Sequence, residues 1–381
     1  MARVTVLGGG GFIGSNLVRR LVSLGHDVVA VDVEFPTWRL DALDGASRWT
    51  ADLNQPSAAS GPILGADVVY HLAADMGGVA WFHGPQDWPA SLTNGRITNN
   101  VLTECTKQNT PRLVYTSSAC AYATEIQQTP GDAPKLRESE HLSWGTPDAG
   151  YGWEKRYGLE LCMRAPIDAR VAICHTIFGP LQEHHGQRMK FPAAVITKAL
   201  VARRTGRLEL WGSGEQRRSY LYVDDAVDRL ITLGFDDRYA GPVNVGAEGA
   251  VTCEEVARMC LDIVGASDAE VVTIEGPVGV MSRDCDNTKW RDTYGDAPQT
   301  PLREAFTEFA DWVEPHLETT TRTQGVERAV RTPERLRAVL LSTVADQQIL
   351  AGTAATLSWQ PVDSDGEPAD PGTVTRTSER R

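Results

Sequence analysis

A chain of 381 residues with 41% hydrophobic content carries enough apolar surface for one large or two modest globular domains. Its formal net charge of −13 at pH 7 repels nucleic acid and anionic membrane surfaces as a whole, so a small-molecule ligand is expected, with local arginines available for a diphosphate. Seven cysteines (105, 120, 162, 174, 253, 260 and 285) form an odd set with no C-x-x-C pair, which argues against a disulfide framework or a zinc ribbon.

Residues 4–7 are an apolar run directly after Met1-Ala2-Arg3. That is a strand's length and lacks a signal peptide's long apolar core, so a cytoplasmic protein without a membrane segment is expected. Further apolar runs at 28–31, 68–72, 113–116 and 171–174 alternate with helical stretches, the pattern of buried parallel strands with βα crossovers. Residues 1–175 therefore read as an α/β, doubly wound Rossmann sheet. From 191 the pattern loosens: a helix at 195–201, a strand at 208–211 and short elements near 220–222, 243–245, 251–263 and 302–313. Residues 176–317 are assigned to a smaller substrate-binding lobe with some return to the first domain. Residues 318–381 form a tail, with an amphipathic helix expected at 333–350 (Leu336, Val339, Leu340, Val344, Leu350) and disorder expected over the polar stretch 364–381.

Gly8-Gly9-Gly10-Gly11-Phe12-Ile13-Gly14 follows the first strand and opens a helix. The G-x-x-G-x-x-G spacing lets backbone approach a pyrophosphate and sets that anion at a helix N-terminus, where free N–H groups favour it. Gly8, Gly11, Phe12, Ile13 and Gly14 are thus expected at a dinucleotide. Asp32 ends the second strand, where a carboxylate accepts from the adenosine ribose hydroxyls and repels a 2'-phosphate, so NAD is expected over NADP. Asp52 and Leu53 are assigned to the adenine side, and Ala73-Ala74 are small enough to pass close to the cofactor.

Tyr151 and Lys155 are four apart and share a helical face. The ammonium is expected to lower the phenol's pKa from its reference of about 10, both residues also facing the cofactor. Ser118 ends the fourth long apolar run, in position to polarise an alcohol, and Cys120 lies two residues beyond it.

With the glycine motif these residues resemble the extended short-chain dehydrogenase/reductase superfamily over residues 1–317. The segments His71-Leu-Ala-Ala-Asp-Met-Gly-Gly78, Ser117-Ser-Ala-Cys120, Lys190-Phe-Pro-Ala-Ala194, Trp211-Gly-Ser-Gly-Glu-Gln-Arg-Arg-Ser219 and Gly276-Pro-Val-Gly279 leading to Arg283 look like GDP-mannose 3,5-epimerases. That resemblance implies an NAD-dependent isomerase in which Tyr151, Lys155 and Ser118 manage oxidation at the sugar C4. Cys120 and Lys190 would be its acid/base pair. Gly77, Gly78, Ser117, Thr176 and Lys190 would line the sugar site, while Gln216, Arg218 and Arg283 would address the nucleoside diphosphate. It also implies a homodimer formed through helices near 90–105 and 151–164.

The chain departs from the family at Thr176, where asparagine is usual, at Ile173, where arginine is usual, in the loop 79–88, and at His184-His185. These leave open the sugar and whether C3 and C5 or C5 alone is inverted, the latter giving GDP-L-gulose. A C4-epimerase would have no use for Cys120 and Lys190. A 4,6-dehydratase would want a carboxylic acid where Cys120 stands, and an NAD-sensing module would not need the Tyr/Lys pair.

Overall fold

The computed structural model describes residues 1–323, apart from 132 and 187. The expected helix at 333–350 and the polar stretch 364–381 lie outside the described residues.

Five apolar runs form strands where expected: β1 (Arg3–Leu7), β2 (Asp27–Asp32), β4 (Val68–His71), β5 (Leu113–Ser118) and β6 (Ala169–Cys174). Two further strands complete the sheet. β3 (Ser47–Thr50) is an edge strand whose four residues are all exposed, so it has no apolar run to announce it. β11 (Val243–Val245) returns from the C-terminal half to pair with β6. The order is β11-β6-β5-β4-β1-β2-β3, and every pairing is parallel.

Alternation along the strands divides the core. Val4, Val6, Val28 and Ala30 face one layer of helices, and Leu7, Val29, Val31 and Val69 face the other. A sheet covered on both faces is the usual consequence of βα crossovers.

Beyond β6 the chain builds smaller sheets: β7 (Thr176–Phe178) pairs with β10 (Tyr220–Tyr222), β8 (Arg207–Trp211) with β13 (Glu270–Ile274), and β9 (Arg217–Arg218) with β12 (Val251–Thr252) and β14 (Ser282–Arg283). The helix Phe191–Thr205 starts at Lys190 as its N-cap, has proline in its first turn and stops at Gly206 in the left-handed region (φ 67°), which glycine adopts without steric cost. The expected element at 251–263 is a two-residue strand and the helix Cys253–Ile263, joined by a capping box between Thr252 and Glu255. No helix among the described residues is long and apolar enough to cross a membrane.

The helix Ala149–Arg164 lies close against β5 because Gly158 has no side chain: a Cβ there would collide with the hydroxyl of Tyr115, a fully buried residue. Gly158→Ala should therefore lift this helix and cost about 1–3 kcal/mol, the usual range for overpacking a filled core. Urea denaturation of wild type and variant measures the difference.

Candidate active site

Two adjoining cavities open at the carboxyl ends of the parallel strands. The larger, about 610 Å³, lies over β1, β2 and β4. Gly8 has φ 87°, and a Cβ on it would sit 2.7 Å from the Ala73 backbone nitrogen. A Cβ on Gly14 would run into the Gly8 carbonyl. The glycines thus clear a floor over which an elongated anionic group can rest against the start of the helix Phe12–Ser23. Gly8, Gly11, Phe12, Ile13, Gly14, Asp52, Leu53, Ala73 and Ala74 all line this cavity, as expected, and so do Tyr151 and Lys155.

Asp32 lines it as well. Its Oδ2 accepts from the Gly10 amide at 3.0 Å and its Oδ1 from the Val33 amide at 2.8 Å. Burial raises its pKa against these stabilising bonds. Gln182, 3% exposed, also lines the cavity, and neither its Oε1 nor its Nε2 has a partner among the described residues. A buried amide whose donor and acceptor are both unpaired suits a ligand or water. Glycine cradle, ribose-side carboxylate and open amide together fit NAD.

The second cavity, about 330 Å³, is lined by Gly77, Gly78, Cys120, Thr176, Gln216, Arg218 and Arg283. Ser118, Tyr151 and Lys190 line both cavities and mark where they meet. A Cβ on Gly78 would strike the Met189 carbonyl, so the bare backbone here lets the 77–78 turn close against the residue preceding Lys190.

Tyr151 is buried, stacks on Phe82 at 4.2 Å between ring centroids and hydrogen-bonds Ser118. Contrary to expectation its pKa is raised well above the usual value. Burial is the main cause, the neighbouring Cys120 adds to it, and the bond to Ser118 only partly offsets them. The Lys155 ammonium stands 5.7 Å from the phenol ring centroid and 3.7 Å from Glu154 Oε2, so part of its field is spent on that carboxylate.

Around Cys120 the structure assembles groups from four distant segments. Arg283 Nη1 lies 3.1 Å from Cys120 Sγ, its Nη2 2.9 Å from Asp148 Oδ2, and its Nε 2.7 Å from Gln127 Oε1. Asp148 Oδ1 is 3.2 Å from His83 Nε2. Burial would push the Asp148 carboxyl up, but the His83 bond and the Arg283 charge more than offset it, and its pKa lies well below the carboxylate range. Arg283, expected at a diphosphate, lines the second cavity with thiol, carboxylate and amide as its partners.

Ser117 is buried and donates to the Lys155 carbonyl at 3.0 Å; it borders the larger cavity beside Ser118 and not the second.

Lys190 has its pKa lowered by burial, with the nearby Cys120 and Cys174 opposing that shift. Toward the far end Gln216 keeps an unpartnered, buried Oε1 among the described residues, and Arg218 donates to the Arg217 and Val280 carbonyls at 2.7 and 2.6 Å. The sequence reading missed His83, Asp148, Gln127, Gln182 and Lys198. Lys198 also lines the second cavity and holds the Glu209 carbonyl at 3.0 Å. Of these only Asp148 had an available signal: an acidic residue just before the Tyr151 helix.

Residues 4–246 match the model of the NAD dependent epimerase/dehydratase family. GDP-mannose 3,5-epimerase 1 of Oryza sativa subsp. japonica is 34% identical over 334 residues, covering 86% of this chain and 85% of the relative. The GDP-mannose 3,5-epimerase of Arabidopsis thaliana is 32% identical, with 83% of each covered. Among solved structures, a UDP-glucose 4-epimerase of Thermotoga maritima superposes with TM-score 0.71 at 21% identity, over 83% of this chain and 99% of that one. A UDP-glucuronic acid 4-epimerase of Bacillus cereus, solved with NAD, gives 0.70 at 20% identity over 82% and 99%. With its parallel sheet, its glycine cradle and a family match over most of the described residues, the chain belongs to the NAD dependent epimerase/dehydratase family, the extended short-chain dehydrogenase/reductases, and uses NAD.

Proposed function

We propose that the protein is an isomerase that inverts C5, or C3 and C5, of a GDP-hexose such as GDP-mannose through a transient 4-keto sugar. One observation carries this reading: a thiol held by an arginine (Cys120, Arg283) and a half-buried lysine of lowered pKa (Lys190) line the same cavity as Tyr151. The similarity to curated GDP-mannose 3,5-epimerases supports the choice of sugar nucleotide. Residues 176–317 then serve mainly as the substrate lobe, in a cytoplasmic enzyme.

Bound NAD supplies reversible removal of hydride at the sugar C4. Tyr151 takes and returns the C4 hydroxyl proton, with Ser118 orienting the oxygen and Lys155 favouring the phenolate once substrate and cofactor complete the site. The 4-keto group acidifies the hydrogens at C3 and C5, because the resulting carbanions delocalise onto the carbonyl oxygen. Cys120 and Lys190 remove and return those protons from opposite faces of the ring. Desolvation lowers the Lys190 pKa, in the direction a base needs, and Arg283 Nη1 donates to the Cys120 sulfur at 3.1 Å. Asp148 lines the cavity too, but His83 and Arg283 hold its pKa well below the carboxylate range, which disfavours the protonated acid a dehydratase would use. Gln216 and Arg218 face the nucleoside diphosphate.

In deuterated water the wild type should place deuterium at C5, and at C3 if both centres invert, as read by NMR of the product. Cys120→Ala and Lys190→Ala should lower inversion by at least about a hundredfold, the lower end for loss of a general acid or base, while substrate still produces some NADH absorbance. Tyr151→Phe should abolish both signals. Inversion at the wild-type rate by Cys120→Ala would make the thiol structural.

Asp32→Ser should raise NADP affinity relative to NAD, since the 2'-phosphate no longer meets a carboxylate. Equilibrium binding of both cofactors measures this, and equal affinities in the wild type would remove Asp32 from the role.

We also infer a homodimer built on the packed helices Asp87–Lys107 and Ala149–Arg164. Trp88, Trp153 and Tyr157 lie on them 75%, 54% and 47% exposed, and a partner copy seated there would bury them. Trp153→Asp with Tyr157→Asp should halve the mass found by light scattering.

A further inference from the structure

We propose that His83 and Asp148 are positioning residues for Cys120: a protonated His83 fixes Asp148, which fixes Arg283, whose remaining Nη1 faces the thiol. The proposal rests on the reading of Cys120 as a proton carrier. It adds that the carrier's charge is set from the rim of the cavity, through a carboxylate and an arginine.

The geometry is one unbroken chain. His83 Nε2 meets Asp148 Oδ1 at 3.2 Å, Asp148 Oδ2 meets Arg283 Nη2 at 2.9 Å, and Arg283 Nη1 meets Cys120 Sγ at 3.1 Å. Gln127 holds Arg283 Nε at 2.7 Å, so the guanidinium cannot swing away from the sulfur without losing a buried bond. Exposure falls along the chain: the His83 side chain is 38% exposed, Asp148 12% and Arg283 10%. Only the histidine exchanges protons freely with solvent.

Charge explains why a histidine is needed. The short helix Val79–Phe82 that precedes His83 brings no charged group of its own. The groups facing His83 from the surrounding elements are Asp148 before the Tyr151 helix, Asp87 at the start of the helix Asp87–Lys107, and Arg283 on β14. Arg218 joins them across Gly279, where a Cβ would lie 4.0 Å from His83 Nε2 and 3.9 Å from Arg218 Nη2. Asp87 is spent on the Gly150 and Tyr151 amides at 2.9 and 3.1 Å. Two carboxylates and two guanidiniums cancel, so a Cys120 thiolate has no net counter-charge from this set until His83 is protonated.

Lys190 also acts on Cys120, but its charge alternates as it exchanges its proton with the sugar. In the proposed mechanism His83 is given no proton to exchange with the sugar, so its charge follows the pH of the solvent. The bond to Asp148, with the Asp148 and Asp87 charges, raises the His83 pKa against burial and Arg283. Its charge is therefore present below that raised pKa and is lost as the pH climbs through it.

The test is the rate at which iodoacetamide labels Cys120 in the NAD-loaded, full-length protein across pH 5.5–9, quantified by peptide mass spectrometry, with melting temperature and NAD content as controls for folding. His83→Gln keeps a hydrogen-bonding side chain without the charge and should shift the labelling profile to higher pH, with roughly three- to tenfold slower labelling at pH 7, corresponding to half to one pH unit. His83→Lys restores the charge and should label within about twofold of wild type. In an Asp148→Asn background, His83→Gln should have no further effect, because the link is already cut. Wild-type labelling by a folded His83→Gln protein, or an undiminished His83 effect without Asp148, would overturn the proposal. Inversion by Cys120→Ala tests the underlying reading separately, since it leaves the labelling experiment untouched.

Discussion

The reversal of strand order about β1 is the constraint on which the site depends. The chain goes out through β2 and β3 on one side of β1, then crosses to β4, β5, β6 and β11 on the other. The crossovers on the two sides leave in opposite directions, so a crevice must open above the carboxyl ends of β1 and β4. Gly8 and Ala73 meet at its floor with no room for a Cβ between them. Groups that stand at neighbouring strand ends are brought to this crevice by topology alone: Asp32 from β2, Ser118 from β5, and Cys174 with Thr176 at the step from β6 to β7.

The same topology sets the two cavities side by side, with Ser118, Tyr151 and Lys190 bordering both. In the proposed mechanism the alcohol proton is handled at this border, and the carbon acid chemistry falls to Cys120 on the short helical turn after β5 and to Lys190, which stands on the border at the N-cap of the helix Phe191–Thr205. An N-cap is suited to a reacting lysine: its backbone is anchored by the helix while its side chain stays outside the turn. The helix dipole at that end also disfavours a positive charge, in the same direction as the burial that lowers the Lys190 pKa.

What could be read in the sequence follows from the range of the interactions involved. The glycine loop, the Tyr151–Lys155 spacing and the five apolar strands are local patterns, and the structure places each where its pattern implied. β3 was invisible because an edge strand with four exposed residues carries no hydrophobic run. Ser117 borders the larger cavity while its hydroxyl is held by the Lys155 carbonyl, a contact between β5 and the Tyr151 helix that no local pattern announces. The Arg283 contacts had no local signal. Gln127, Asp148 and Arg283 are as many as 156 residues apart in sequence, and the arginine reaches the thiol because β14 pairs with β9 and its flanks bond to Gln127 and Leu136.

The Arg283 cluster also shows why a cysteine can stand in a cavity with so much positive charge. A guanidinium buried with one carboxylate is already neutralised, so it offers a thiolate geometry more than net charge. Its planar fork divides three fixed bonds among amide, carboxylate and sulfur, which a lysine's single ammonium could not arrange in one plane. The sulfur is held in place by a rigid donor whose other two bonds fix its orientation, so the placing of the thiol is a property of the fold carried by Gln127 and Asp148 through Arg283.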